Sequence, residues 1–255
     1  MTKVALIFGG EPRFVERGYN ENKIFLQWLN DNYDVDVHVH SWDHTRVWSK
    51  EDHDNKRFNG RMTGGSGYYL EGTSKTLTNL NHEDVKKEFS VYNPKTIEVE
   101  RYNTELLSGD GVPKGQYLSR AKAYKNAMEY SNYDFVWLTR TDVIYDANQP
   151  STFTYLEDLN NKILCQQVAL RNEVTFTAED WFYAGAANNF SNLTLFATDP
   201  LSYIRDTEFG GQWFKDLRES GQARNSHIWQ ALITGGSGEG QFIDDGVEWK
   251  LLYDE

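Results

Sequence analysis

The stretch Tyr133–Asp146, YDFVWLTRTDVIYD, decides how this chain is read. Phe135, Val136, Trp137 and Leu138 follow one another without a polar break, the mark of a strand covered on both faces. The segment then presents Arg140-Thr141-Asp142. In extended backbone, residues two apart share a side, so Arg140 and Asp142 project together, a cation and a carboxylate at the end of a hydrophobic strand. Ligands of open α/β sheets sit beyond the carboxyl ends of the strands. Chemistry is therefore expected at this end.

Other elements fall into place around that strand. The run Val4 to Phe8, stopped by Gly9-Gly10, predicts a first strand buried on both faces. Ile24, Phe25, Trp28 and Leu29 share one face of a helix over 22–32. VDVHVH alternates, with Val35, Val37 and Val39 on one side and Asp36, His38 and His40 on the other, and so predicts a second strand. TIEVER reads as a third. Tyr117, Ala121, Tyr124 and Met128 predict a helix over 115–130 that delivers the chain into the strand at 133–139.

Beyond Asp146, KILCQQVAL and DWFYAGAA read as strands, Leu193 to Phe196 as helical, 228–233 as a helix, and Val247, Trp249 and Leu251 as a last strand. Residues 41–95 are rich in charge, glycine and asparagine, which predicts a long loop region holding one short helix near His82–Phe89. The strand–helix–strand order predicts an α/β fold. We expect a single Rossmann-like domain over 1–255 with a mixed, mostly parallel central sheet flanked by helices. TGGSG occurs at 63–67 and again at 234–238, without the Gly-Lys-Ser/Thr of a phosphate loop, and reads as two surface turns.

Composition narrows the classes of function. Across 255 residues the formal net charge is -12, which argues against a nucleic-acid partner because phosphate-tracking proteins need a positive footprint. Cys165 is the only cysteine, so neither a disulfide framework nor a thiolate metal site is available, and a reducing compartment is expected. The apolar run at Val4–Phe8 is too short for a signal-peptide core or a membrane span. A soluble, cytoplasmic protein is expected.

Three strand ends carry candidate chemistry: Gly9-Gly10-Glu11-Pro12-Arg13, His40-Ser41-Trp42-Asp43 and Arg140-Thr141-Asp142. Glycines allow a tight turn or a close backbone approach, and Arg13 and Arg140 suit phosphate. Trp42 and Asp43 offer a stacking plane and an acceptor. A carboxylate at 142 suits a hard divalent cation, Mg²⁺ or Mn²⁺, bridging a diphosphate. Two other readings compete. His38 and His40, with Asp36 and His44 nearby, have a zinc-ligand spacing, although no Glu-containing helix motif or third spaced ligand accompanies them. Eight Trp and fifteen Tyr would also serve a non-catalytic carbohydrate-binding protein.

VALIFGGEPRF, VDVHVHSWD and GQYLSRAKAYKNAMEYSNYDFVWLTRTDVIYD together resemble a family of bacterial and viral glycosyltransferase-like proteins with the GT-A nucleotide-sugar fold. Its members have a Gly-x-x-Arg turn after the first strand, a Trp-Asp strand end, and a Tyr-Asp-x-Val-x-x-x-Arg-x-Asp strand, the counterpart of the Asp-x-Asp metal motif. The similarity covers roughly the first 146 residues. It implies transfer of a sugar from a nucleotide-sugar donor to a glycan or other hydroxyl acceptor, with 1–146 binding the donor and 147–255 forming the acceptor side. It further implies nucleotide-sugar contacts from Gly9, Gly10, Arg13, Trp42, Asp43, Ser119, Lys122, Arg140 and Asp142, with Asp142 holding Mn²⁺ or Mg²⁺. Arg140 stands where the first carboxylate of Asp-x-Asp would be. Asp180, with Glu179 second, is the candidate base for the acceptor hydroxyl, because a carboxylate leading into an apolar strand sits at a cleft edge.

Overall fold

A computed structural model describes residues 1–45, 78–102, 114–145, 153–165, 182–200, 242–244 and 249–251. Its centre is strand β1, Lys3–Gly10, whose six inner residues are all buried. Val4, Leu6 and Phe8 enter one core cluster and Ala5 and Ile7 the other, so the period of two sends apolar side chains to both faces of the sheet.

Helices cover each face. On one side lie α1 (Val15–Glu21), α2 (Lys23–Asn32) and α3 (His82–Phe89). Helix α2 buries Phe25, Trp28 and Leu29, three of the four positions expected from its spacing, while the fourth, Ile24, is exposed; each buried side chain stabilises the fold by about 1.5–3 kcal/mol. Asn81 caps α3 by accepting a hydrogen bond from Glu83 N at 2.8 Å. On the other side lie α4 (Lys114–Tyr130) and α5 (Asn192–Thr198), where Tyr117, Ala121 and Tyr124 pack with Phe190, Leu193 and Phe196. Helix α1 was not expected from the sequence: only Val15 and Gly18 are buried in it, too few positions to make a periodic signal.

The strands after β1 are β2 (Asp34–Trp42), the short pair β3 (His44–Thr45) and β4 (Thr78–Asn79), β5 (Thr96–Glu100), β6 (Phe135–Thr139), β7 (Val143–Tyr145), β8 (Ile163–Cys165), β9 (Tyr183–Ala186), β10 (Phe242–Asp244) and β11 (Trp249–Leu251). Seven of them form the main sheet, in the order β10-β8-β9-β6-β1-β2-β5. The pairs β1–β2, β1–β6, β2–β5 and β8–β10 are parallel, whereas β9 runs antiparallel to both neighbours, β6 and β8. This is the mixed, mostly parallel α/β sheet expected from the sequence. Strand β11 pairs antiparallel with β7. The helix expected over 228–233 and both TGGSG stretches lie outside the described residues. Among the described residues, no helix is long and apolar enough to cross a membrane.

Candidate functional site

Strands β1 and β6 are parallel neighbours, so their carboxyl ends open at one edge of the sheet. Gly10, at φ 131°, turns the chain out of β1, and Phe14, at φ 50°, turns it again into α1. A bulky residue in the left-handed region costs about 1–2 kcal/mol. Here it carries Arg13 back over the sheet end. The turn is latched from β6: Thr141 Oγ1 donates to Arg13 O at 2.6 Å, and Asn22 bridges Val143 O and Tyr145 N at 2.9 Å each.

The side chains expected to act together are in contact. Arg140 grips Asp142 with two hydrogen bonds, Nε to Oδ1 at 2.8 Å and Nη2 to Oδ2 at 2.5 Å. Arg13 Nη1 lies 3.7 Å from the same Oδ2 and its other edge binds Glu11, with Nη2 at 2.7 Å. Burial pushes the Asp142 carboxyl up, but the Arg140 charge and hydrogen bonds, helped by Arg13, outweigh it and hold the group below the usual carboxylate range. Both oxygens of Asp142 face guanidinium groups and its side chain is 6% exposed. In this arrangement the carboxylate holds two arginines, and a metal ion there would share its oxygens with them.

The Arg13 and Arg140 side chains are 23% and 17% exposed.

Of the other expected contacts, Gly9, Ser119 and Trp42 are enclosed within the protein, whereas Asp43 and Lys122 are partly exposed. Gly9 lies against α4, where an added Cβ would sit 2.6 Å from Arg120 Cα. Ser119 is fully buried and its hydroxyl joins three groups: it accepts from Gly10 N at 2.7 Å, donates to His40 O at 2.8 Å, and meets His40 Nδ1 at 2.8 Å. Trp42 is 4% exposed, donates from Nε1 to Gly115 O at 2.9 Å, and has the edge of Tyr102 against it. Asp43 accepts from Tyr102 N at 2.9 Å and faces His82 Nε2 at 3.3 Å. Lys122 pairs with Glu100 and sits 5.8 Å from the centre of the Trp42 ring. Asp180 and Glu179 lie outside the described residues.

The two histidines of β2 part company. His38 is bonded on both nitrogens, at 2.8 Å to Thr96 Oγ1 and 2.7 Å to Tyr133 Oη, and Tyr133 in turn donates to Asp36 at 2.9 Å. Burial lowers its pKa to about 4. It is a neutral member of a buried network with no lone pair to spare. His40 instead joins Glu98 and Glu100 of β5, and one ligand atom from each lies within 4.8 Å of the others. This group could hold a metal ion. The His40 imidazole leads in holding the Glu100 carboxyl down, together with the Lys122 ammonium and against burial, at about 2.

Glu98 and Glu100 were missed in the sequence, although the signal was there. TIEVER alternates, placing Thr96, Glu98 and Glu100 on one side, and pairing with β2 sets Glu98 opposite His40 and Glu100 opposite Trp42.

No protein-family model matches the chain, and no curated protein matches it significantly. Among solved structures, the galactosyltransferase LgtC in complex with donor and acceptor sugar analogs is similar at TM-score 0.38 and 12% identity, over 92% of this chain and 72% of that one. A putative glucose-1-phosphate thymidylyltransferase from Bacillus anthracis in complex with a sucrose is similar at TM-score 0.38 and 12% identity, over 98% and 89%. HddC from Yersinia pseudotuberculosis complexed with GMP-PN is similar at TM-score 0.31 and 9% identity, over 74% and 78%. Similarity at this level assigns neither activity nor substrate.

Proposed function

We propose that the chain is a GT-A-like glycosyltransferase, moving a sugar from a nucleoside-diphosphate donor to a glycan or other hydroxyl acceptor. The observation that supports this most is the convergence of Arg13 and Arg140 on Asp142 at the carboxyl ends of two adjacent parallel strands. Two partly exposed arginine side chains held at fixed spacing suit the oxygens of a diphosphate, which would take over contacts now made to Glu11 and Asp142. The sequence resemblance in the first 146 residues points the same way.

Asp142 then serves as the positioning carboxylate. Its charge fixes both arginines in place before the donor arrives, so little ordering is left for binding. In the transfer, the bond from the anomeric carbon to the phosphate oxygen breaks and negative charge gathers on the leaving diphosphate. Preorganised guanidinium donors stabilise that charge where it develops. The acceptor oxygen bonds to the anomeric carbon and, where transfer inverts the configuration, its proton passes to Asp180 or Glu179. On this reading the partly exposed Asp43 and Lys122 meet the nucleoside side of the donor, and Gly9, Gly10, Trp42 and Ser119 shape the floor beneath it.

Incubating the full chain with a panel of nucleoside-diphosphate sugars and measuring release of the nucleoside diphosphate, with and without glycan acceptors, tests this reading. At least one donor should be turned over. Inertness toward the whole panel, under conditions where the chain is folded, would remove it.

A further inference from the structure

We propose that His40, Glu98 and Glu100 form a binding site for one divalent transition-metal ion, Zn²⁺ or Mn²⁺, which Lys122 closes when no ion is bound. This site is separate from the arginine cluster and stands whether or not the chain transfers sugars.

The single proton of the Ser119 hydroxyl fixes which histidine nitrogen must donate to it. The Ser119 oxygen is 2.8 Å from the His40 carbonyl, a contact between two oxygens that needs a hydrogen, and only the hydroxyl can supply it. That oxygen also accepts from Gly10 N. The remaining contact, with His40 Nδ1 at 2.8 Å, must therefore be donated by the imidazole. It follows that Nδ1 carries a proton, and that Nε2, the other ring nitrogen, faces β5.

His40 is 1% exposed, and Nε2 makes no hydrogen bond. Its nearest acidic neighbour, Glu100 Oε1, lies 3.5 Å away. A bare lone pair against carboxylate oxygens is unfavourable, and either a second ring proton or a metal ion fills the gap between Nε2 and Glu100. Metal-ligating histidines characteristically donate their other ring nitrogen to a fixed acceptor, as His40 does to Ser119.

The rest of the cluster is built on the same face. Asn126 Nδ2 donates to Glu98 Oε2 at 2.8 Å and Lys122 pairs with Glu100. Ser119, Lys122 and Asn126 recur at helical spacing along α4, so one helix face supports all three ligands. An ion bound at about 2.1 Å would hold ligand atoms about 3–4 Å apart, a small contraction from their present spread. One imidazole and two carboxylates favour Zn²⁺ or Mn²⁺ over Ca²⁺ or Mg²⁺. Displaced from Glu100, the Lys122 ammonium has the Trp42 ring beside it, 5.8 Å from its centre, as a cation–π resting place.

The test is titration of chelator-treated full chain with Mn²⁺, followed by loss of the free-ion electron paramagnetic resonance signal, and with Zn²⁺ by calorimetry. One ion per chain should bind. Glu98→Gln and Glu100→Gln, at side chains that keep their size, should each weaken binding by more than about tenfold, the scale felt when even a supporting partner is lost. Lys122→Met should tighten it, and Asp142→Asn should leave the stoichiometry unchanged. Absence of binding at millimolar ion, or binding that both Glu→Gln variants retain at parental strength, would overturn the site. Failure of the sugar-nucleotide assay would not touch it.

Discussion

Gly18 and Thr141 are in direct backbone contact: a Cβ placed on Gly18 would lie 2.0 Å from the Thr141 carbonyl oxygen. Helix α1 can dock onto the turn that carries Arg140 and Asp142 only because residue 18 has no side chain. Gly18→Ala must push α1 and this turn apart. Overpacking of this kind costs about 1–3 kcal/mol, so the variant should unfold at a lower urea midpoint. It should also bind nucleotide-sugars more weakly, since the turn is part of the arginine cluster. Parental stability in Gly18→Ala would show that the contact is loose.

Asp142→Asn should be destabilising as well as inactive, in contrast to a purely catalytic change. Removing one partner of a buried charge pair costs about 3–5 kcal/mol, and the partial exposure of both arginines places this case toward the lower end. The pH dependence has a definite sign. The folded-state pKa of Asp142 lies below its ordinary value, so its contribution is complete above an unfolded pKa of about 3.9 and is lost as pH falls through the lower folded value. Urea midpoints of parent and variant should differ most at neutral pH and converge below about pH 4. A constant gap down to pH 2.5 would contradict this.

Ser119→Ala should act on stability and not by removing a ligand contact. The change leaves Gly10 N and the His40 carbonyl without their partner in a buried setting, which costs about 1–3 kcal/mol. Denaturation should show the loss. Unchanged stability together with lost donor binding would mean that the hydroxyl faces the ligand instead of bridging β1, β2 and α4.

Much of the fold could be read from local pattern. Strands β1 and β6 announced themselves as unbroken apolar runs, as burial on both faces demands, and β2, β5, α2 and α4 by apolar positions repeating at a period of two or 3.6. Helix α1 was hidden because its docking depends on the absence of a side chain at Gly18, and an absence carries no periodicity. The pairing of Arg140 with Asp142 was legible from their spacing alone. The roles of Ser119 and Trp42 were not, because their hydrogen bonds go to Gly10, His40 and Gly115, contacts across many residues that only the three-dimensional arrangement creates. Glu98 and Glu100 gained meaning through the register between β5 and β2, which no single stretch of sequence contains. The carboxylates Glu179 and Asp180 lie outside the described residues and remain proposals.

The most direct measurement of the central claim is binding of nucleoside-diphosphate sugars to the full chain by calorimetry, comparing the parent with Arg13→Gln and Arg140→Lys. Each variant removes charge-assisted hydrogen bonds worth about 1.5–3 kcal/mol, so affinity for the diphosphate should fall by about ten- to a hundredfold in each, with the nucleoside alone little affected. A donor that binds both variants as tightly as the parent would contradict the assignment of the diphosphate to these two arginines.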